Sequence, residues 1–455
     1  MALERPRLIA GPAFRTFLLD CCPVLRRRFW PTFWCLGGRL QTLLRFLLKS
    51  KPLLTYRTEL LRTADGGQLS LDWLEGPNQQ LNPQLTVLLL PGLTSNSREN
   101  YILHLAAQAQ LLNCKCVVFN YRGCGKEELL TPRLYCAANT EDMSLVVNHI
   151  RSVQPSSPIL AVGLSMGGML LLNFLAEQGH QTGVDAAMTI SVPWDAFTST
   201  ASLEEPLNKL LFNRMLTRLL TGTVRRCAGK MAEITQSCSV YKCRFLLEVI
   251  LDAHGMIQNV HLCLLQVLFC HAKQMKQHNS QSHVEGWEIH HLPSKIVLDN
   301  ILGISFEYII ACSLVVRHRE VLESKYDVDY VLKARTVWEY DERLISIMFG
   351  FRSNGDYYHA ASPFHKVPAI LVPVLCLNAA DDPLSPECAF PVEAIQTSPC
   401  VALAVTEHGG HLAFLEGVFP CGESFMDRLF REFASMILSH GPLHFSATQS
   451  PVANR

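Results

Sequence analysis

Residues 159–178 read Ile-Leu-Ala-Val-Gly-Leu-Ser-Met-Gly-Gly-Met-Leu-Leu-Leu-Asn-Phe-Leu-Ala-Glu-Gln, and this stretch decides the fold. The apolar run Ile159–Val162 has the length and composition of a strand buried on both faces. Gly168–Glu177, rich in small and apolar residues, reads as a helix. Between them stands Gly163-Leu164-Ser165-Met166-Gly167. Gly-x-Ser-x-Gly at a strand-to-helix junction describes a sharp turn that lifts the serine hydroxyl to the end of a sheet, with glycines leaving room for the tight backbone. The helix N-terminus then aims N–H groups and positive dipole potential at any charge developing beside that hydroxyl. A second near match, Gly303-Ile304-Ser305-Phe306-Glu307, lacks the last glycine and the strand–helix context, and is set aside.

The same buried-strand pattern recurs at Thr86–Leu90, Cys116–Asn120, Ala187–Val192, Val374–Leu377 and Ala402–Val405, with a helical stretch at Glu141–Val153. Tyr56–Arg62 and Leu69–Trp73 form a hairpin whose Asp65-Gly66 supplies the turn. Buried strands alternating with helices predict a mostly parallel sheet covered on both faces. In such sheets ligands lie beyond the carboxyl ends of the strands. The pattern lapses from 194 to 364, where Leu203–Leu220 and Ile345–Phe349 read as helices, which predicts a helical cap. Within it, residues 227–318 hold eight of the 17 His and six of the 17 Cys without convincing ligand spacing. This segment is read as an atypical insertion in the cap and not as a metal site.

A nucleophilic serine needs a base, and the base needs an orienting acid. Two loops leaving late strands supply both: Asn378-Ala-Ala-Asp381-Asp382-Pro383-Leu-Ser-Pro386 and Glu407-His408-Gly409-Gly410-His411. Asp382 fits the acid best, because Pro386 completes an Asp-x-x-x-Pro turn, with Asp381 as its rival. His411 fits the base best, because the preceding glycines let the loop reach back over the site, with His408 as the alternative. For the oxyanion, Met166 should donate one N–H, and Leu93 or Thr94 of Pro91-Gly92-Leu93-Thr94-Ser95 the other. This chemistry needs no metal and no organic cofactor.

The chain has 455 residues, 49% of them hydrophobic, so a largely disordered protein is excluded. Forty Lys and Arg balance forty Asp and Glu, so nothing in the overall charge points to nucleic acid. The 17 cysteines form no CxxC pair, and they read as small core residues in a reducing compartment. A membrane span needs about 20 predominantly apolar residues. The best candidate, Ile296–Val316, is interrupted by Asp299, Asn300 and Glu307. Residues 1–51 carry ten Lys or Arg against Glu4 and Asp20. Leu40, Leu43, Leu44, Leu47 and Leu48 recur there at helical spacing. Such a helix either packs on its own domain or lies on an anionic membrane surface.

With these pieces in place, the chain resembles the α/β-hydrolase superfamily, and more narrowly its membrane-associated AB hydrolase family 4. That family's vertebrate members include the α/β-hydrolase domain-containing proteins of types 1 and 3. The resemblance rests on TADGGQLSLDW, LLLPGL, VVFNYRG, AANTED, VGLSMGGMLLLNFLA, LEEPLNKLLFN, FGF…DYYHAASP, PVLCLNAADDPLSP and GGHLAFLEG. It implies the α/β-hydrolase fold, a Ser165–Asp382–His411 triad, and esterase or phospholipase action on lipid esters, with medium-chain acyl groups. Transfer of the acyl group to an alcohol is the alternative reaction, and a catalytically disabled membrane-surface binding protein the alternative role. Members usually begin with a membrane helix before the stretch that here reads Glu4-Arg5-Pro6-Arg7. That helix is absent here, so the expectation is a membrane-associated intracellular protein without its anchor. The expected organisation is a basic amphipathic segment (1–51), a first core part (52–193), the cap (194–364), a second core part (365–440) and a tail (441–455).

Overall fold

β6 (Ile159–Leu164) runs near the middle of a nine-stranded sheet, and every one of its residues is buried. The computed structural model describes residues 5–75, 85–124, 128–213 and 319–441. The insertion expected at 227–318, the apolar stretch Ile296–Val316 and the tail beyond Gly441 lie outside the described residues.

The remaining strands are β1 (Arg7–Ile9), β2 (Tyr56–Arg62), β3 (Gln68–Leu74), β4 (Thr86–Leu90), β5 (Lys115–Asn120), β7 (Ala186–Ile190), β8 (Val374–Ala379) and β9 (Val401–Thr406). The sheet order is β1-β9-β8-β7-β6-β4-β5-β3-β2. The block from β5 to β9 is parallel, whereas β1, β2 and β3 pair antiparallel at the two edges. Leu88 stands between Val117 of β5 and Ala161 of β6. The period of two along β4 sends Leu88 and Leu90 into one core and Val87 and Leu89 into the other. The mostly parallel sheet expected from the buried runs is therefore present: Thr86–Leu90 matches β4 residue for residue, four other runs gain one or two residues, and the run expected to Val192 ends at Ile190.

Helices cover both faces. α1 (Pro12–Cys21), α3 (Asn100–Leu111) and the terminal helix Phe425–His440 contribute to the core on one side. α4 (Glu141–Val153), α5 (Met166–Gln178) and the cap contribute to the core on the other. The cap consists of α6 (Ala196–Glu204), the turns through Asn213, and the segment from Arg319 to the helix Asn354–Ala361. The helix expected over Leu203–Leu220 differs. α6 starts earlier, where the Asp195 carboxylate accepts the Phe197 and Thr198 N–H groups, and it ends at Glu205-Pro206. Pro206 has no N–H with which to continue the ladder, so a new turn starts there. Residues 214–220 lie outside the described residues.

The basic N-terminal segment is part of the fold. β1 pairs with β9, and Phe14 and Leu18 of α1 are buried. In α2 (Gly38–Leu48), Leu40, Leu44 and Leu48 pack with Cys35, Ala413 and Leu415. The Lys49 ammonium donates to Asp427 (2.9 Å) and to the Gly422 carbonyl (2.7 Å), both against the terminal helix. Of the two readings of the leucine face, packing on the domain is the one observed. Among the described residues no helix is long and apolar enough to cross a membrane.

Candidate active site

Ser165 stands between β6 and α5 at φ 53°, ψ −120°, a left-handed backbone that a serine adopts only when its surroundings enforce it. The surroundings do so through backbone contact. A Cβ on Gly163 would lie 2.5 Å from the Gly167 carbonyl oxygen, and one on Gly167 would lie 2.3 Å from that of Leu90. Both glycines are therefore required by close approach of neighbouring main chain. The Ser165 N–H donates to the Ile190 carbonyl at 3.0 Å, tying the turn to β7.

The two late loops converge on that hydroxyl. His411 Nε2 lies 2.8 Å from Ser165 Oγ, and its Nδ1 lies 2.9 and 3.1 Å from the two Asp382 oxygens. With the Nδ1 proton given to Asp382, Nε2 is free to accept from the serine. Asp382 and His411 are both buried, and Asp382 Oδ1 also accepts the Leu384 and Ser385 N–H groups at 2.8 and 3.2 Å. Asp381 makes a different pair. Its Oδ1 accepts the Gly410 N–H at 2.8 Å and its Oδ2 lies 3.4 Å from His408 Nδ1. Burial pushes its carboxyl up to about 6, against the opposing pull of the Gly410 N–H and His408. The structure thus brings Ser165, Asp382 and His411 together and sets Asp381 and His408 beside them.

Gly410 sits at φ 54°, and a Cβ there would meet the Gly38 carbonyl oxygen at 2.3 Å. Gly38 in turn abuts the Asp381 backbone. The first turn of α2 is therefore pressed onto both loops. From that helix Thr42 Oγ1 accepts the His411 N–H at 2.8 Å while donating to the Gly38 carbonyl at 2.7 Å. Thr42, Arg45 and Phe46 also line the cavity above Ser165. Sequence reasoning missed all three, because this helix was read through its leucines. The signal available was Gly37-Gly38 at its start, which allows close approach.

The cavity encloses about 250 Å³ and opens onto Ser165, Met166, Leu93 and His411. Its walls are mostly apolar, with Leu134, Leu203, Phe212 and Ile345 from the core and cap. Thr94, at φ 61°, spends its N–H on the Tyr135 hydroxyl (3.0 Å), so of the two candidates in that loop it is already engaged. Of the aromatics in and beside the cap, Tyr357 and Tyr358 line the cavity. Trp194 is instead fully buried with its Nε1 donating to Asn378, and Phe349 and Phe351 pack against the core. Asp341 is a cavity residue that sequence reasoning did not single out. Burial pushes its carboxyl up to about 7, partly offset by the Tyr358 hydroxyl donating at 3.1 Å. Among the described residues no cluster of three or more His, Cys, Asp or Glu could hold a metal ion.

The α/β-hydrolase fold family matches residues 86–418. The chain is 38% identical over 443 residues to "Phospholipase ABHD3" of Homo sapiens, covering 96% of this chain and 86% of that protein. It is 27% identical over 415 residues to "Protein abhd-3.2" of Caenorhabditis elegans, covering 91% of this chain and 86% of that one. It is also 24% identical over 431 residues to "Monoacylglycerol lipase ABHD2" of Bos taurus, covering 92% and 83%.

Proposed function

The chain belongs to the α/β-hydrolase fold family, and on that premise we propose that it is a serine hydrolase that cleaves carboxylic esters of lipids through an acyl-enzyme. The observation that carries this reading is the line of hydrogen bonds from Ser165 Oγ through His411 to Asp382 at a strained strand-to-helix turn. Ser165 Oγ attacks the ester carbonyl while His411 Nε2 takes its proton. Asp382 holds the ring in the competent tautomer and stabilises the imidazolium. The oxyanion meets the N–H of Met166, at the N-terminus of α5, and that of Leu93. His411 then returns the proton to the leaving alcohol, and water, activated by the same ring, cleaves the acyl-serine.

The lipid substrate is supported by relatives named as a phospholipase and a monoacylglycerol lipase, and by the apolar walls of the cavity. Medium-chain acyl groups are part of this proposal. The test is to incubate the purified protein and Ser165→Ala with phosphatidylcholines and monoacylglycerols of graded chain length and quantify released fatty acid. Release by the native protein and none by the variant is expected. A folded native protein that releases acid from no lipid ester would overturn the reading.

A further inference from the structure

Two loops from distant parts of the chain lie side by side and present aromatic residues to solvent. One runs from Arg26 to Trp34. The other, Glu416–Phe419, begins five residues after His411. They are stitched by backbone and side chain: Pro31 forms a β-bridge with Glu416, the Thr32 N–H donates to Leu415, and Trp34 Nε1 donates to the Val418 carbonyl at 2.9 Å. Phe29, Thr32 and Cys35 point inward and are buried. Trp30, Phe33, Val418 and Phe419 point outward and are 59%, 57%, 48% and 49% exposed. Four large apolar side chains exposed on loops held this firmly mark a candidate contact surface.

Charge indicates what covers it. Arg26, Arg27 and Arg28 directly precede the cluster and are exposed. Arg26 pairs with Asp20, whereas among the described residues Arg27 and Arg28 make no ion pair. The acid nearest in the facing loop, Glu416, is held by Arg428 through both carboxylate oxygens. Arginines free to meet anions, beside Trp and Phe, match the headgroup layer of a membrane, where aromatic rings settle and basic residues are drawn to anionic lipid. Three cations that follow the cluster are unsuited to this task. Arg39 is tied to Asn208 and Glu205, Lys49 is buried against Asp427, and Arg45 lies against the Phe46 and Tyr101 rings.

We propose that Trp30, Phe33, Val418 and Phe419, flanked by Arg26, Arg27 and Arg28, form a face that docks the enzyme on an anionic membrane surface. The face adjoins the catalytic loops. One of its strips leads through Gly37 into Gly38, which touches Asp381 and Gly410, and the other continues from His411. Docking there holds the cavity close to the lipid layer. The proposal rests on the lipid-ester reading above, and its test keeps the two apart.

The test uses the full chain, floated with phosphatidylcholine vesicles with and without phosphatidylserine, at low and high salt. Hydrolysis of a soluble short-chain p-nitrophenyl ester is measured in parallel. Native protein is expected to float with the anionic vesicles. Trp30→Ala/Phe419→Ala should lose about tenfold or more of that binding, and Arg27→Glu/Arg28→Glu should lose its dependence on phosphatidylserine and salt. Both variants should hydrolyse the soluble ester as the native protein does, which shows that they are folded. Absence of native flotation, or flotation of both variants at the native level, would overturn the proposal. So would self-association of the native protein, relieved by the variants, in place of vesicle binding. Failure to hydrolyse the soluble ester would count against the enzyme reading alone.

Discussion

Asp381 and Asp382 are neighbours in sequence, yet replacing each by Asn should have very different consequences. Asp382 Oδ1 accepts two backbone N–H groups, from Leu384 at 2.8 Å and Ser385 at 3.2 Å. In Asp382→Asn those donors demand the amide oxygen at the Oδ1 position. The NH₂ group then occupies the Oδ2 position, 2.9 Å from His411 Nδ1. A donor there makes Nδ1 the acceptor and drives the proton onto Nε2, which can no longer take one from Ser165. Loss of an orienting acid in such a triad costs on the order of 10⁴-fold in kcat, equivalent to about 5.5 kcal/mol. In Asp381→Asn the amide oxygen still accepts the Gly410 N–H, and only the 3.4 Å approach to the half-exposed His408 changes. That variant should stay within about tenfold of native, the scale of one weak contact of roughly 1 kcal/mol. The assay is kcat/KM on a soluble p-nitrophenyl ester, with melting temperatures to confirm folding. An Asp381→Asn loss equal to or larger than that of Asp382→Asn would show that Asp382 is not the acid that orients His411.

Thr42→Val should leave the buried His411 N–H without its acceptor, at a cost of roughly 1–3 kcal/mol. It should lower kcat more than it raises KM, with recovery in Thr42→Ser; native kcat in Thr42→Val would show that the hydroxyl does not position the ring. Asp341 holds its proton up to about 7, well above the ordinary value of 3.8, so the native state binds a proton that the unfolded chain releases in that window. Stability therefore falls as pH rises from about 4 to 7 and levels off above. Asp341→Asn, which can still accept from Tyr358, should raise the melting temperature more at pH 8 than at pH 5, by up to a few kcal/mol in stability. A relative loss of stability at pH 8 would contradict that sign.

The central strands were legible because both faces of each are buried, so continuous apolar runs such as Thr86–Leu90 and Ile159–Val162 stand out without any alternation. β1 was not legible, since three residues at an edge, Arg7-Leu8-Ile9, have no period and gain their conformation from pairing with β9. α3 escaped for the opposite reason. Nine of its twelve residues are buried, so no polar face marks it. At the site, the order serine, acid, histidine could be read from loops that follow late strands. The choice between Asp381 and Asp382 rested on a proline four residues on, whereas the folded geometry separates them by what each oxygen accepts. Thr42 was harder to find: Gly37-Gly38 marks a close approach at the start of α2, but no local pattern says that its partner is Gly410.

If Ser165 is an activated nucleophile, a fluorophosphonate should react with it covalently, which intact mass of the full-length protein followed by peptide mapping reads out. One adduct per chain is expected, located on Ser165, and none on folded Ser165→Ala. A native protein that takes up no probe, or a Ser165→Ala variant that is labelled as well as the native, would contradict it.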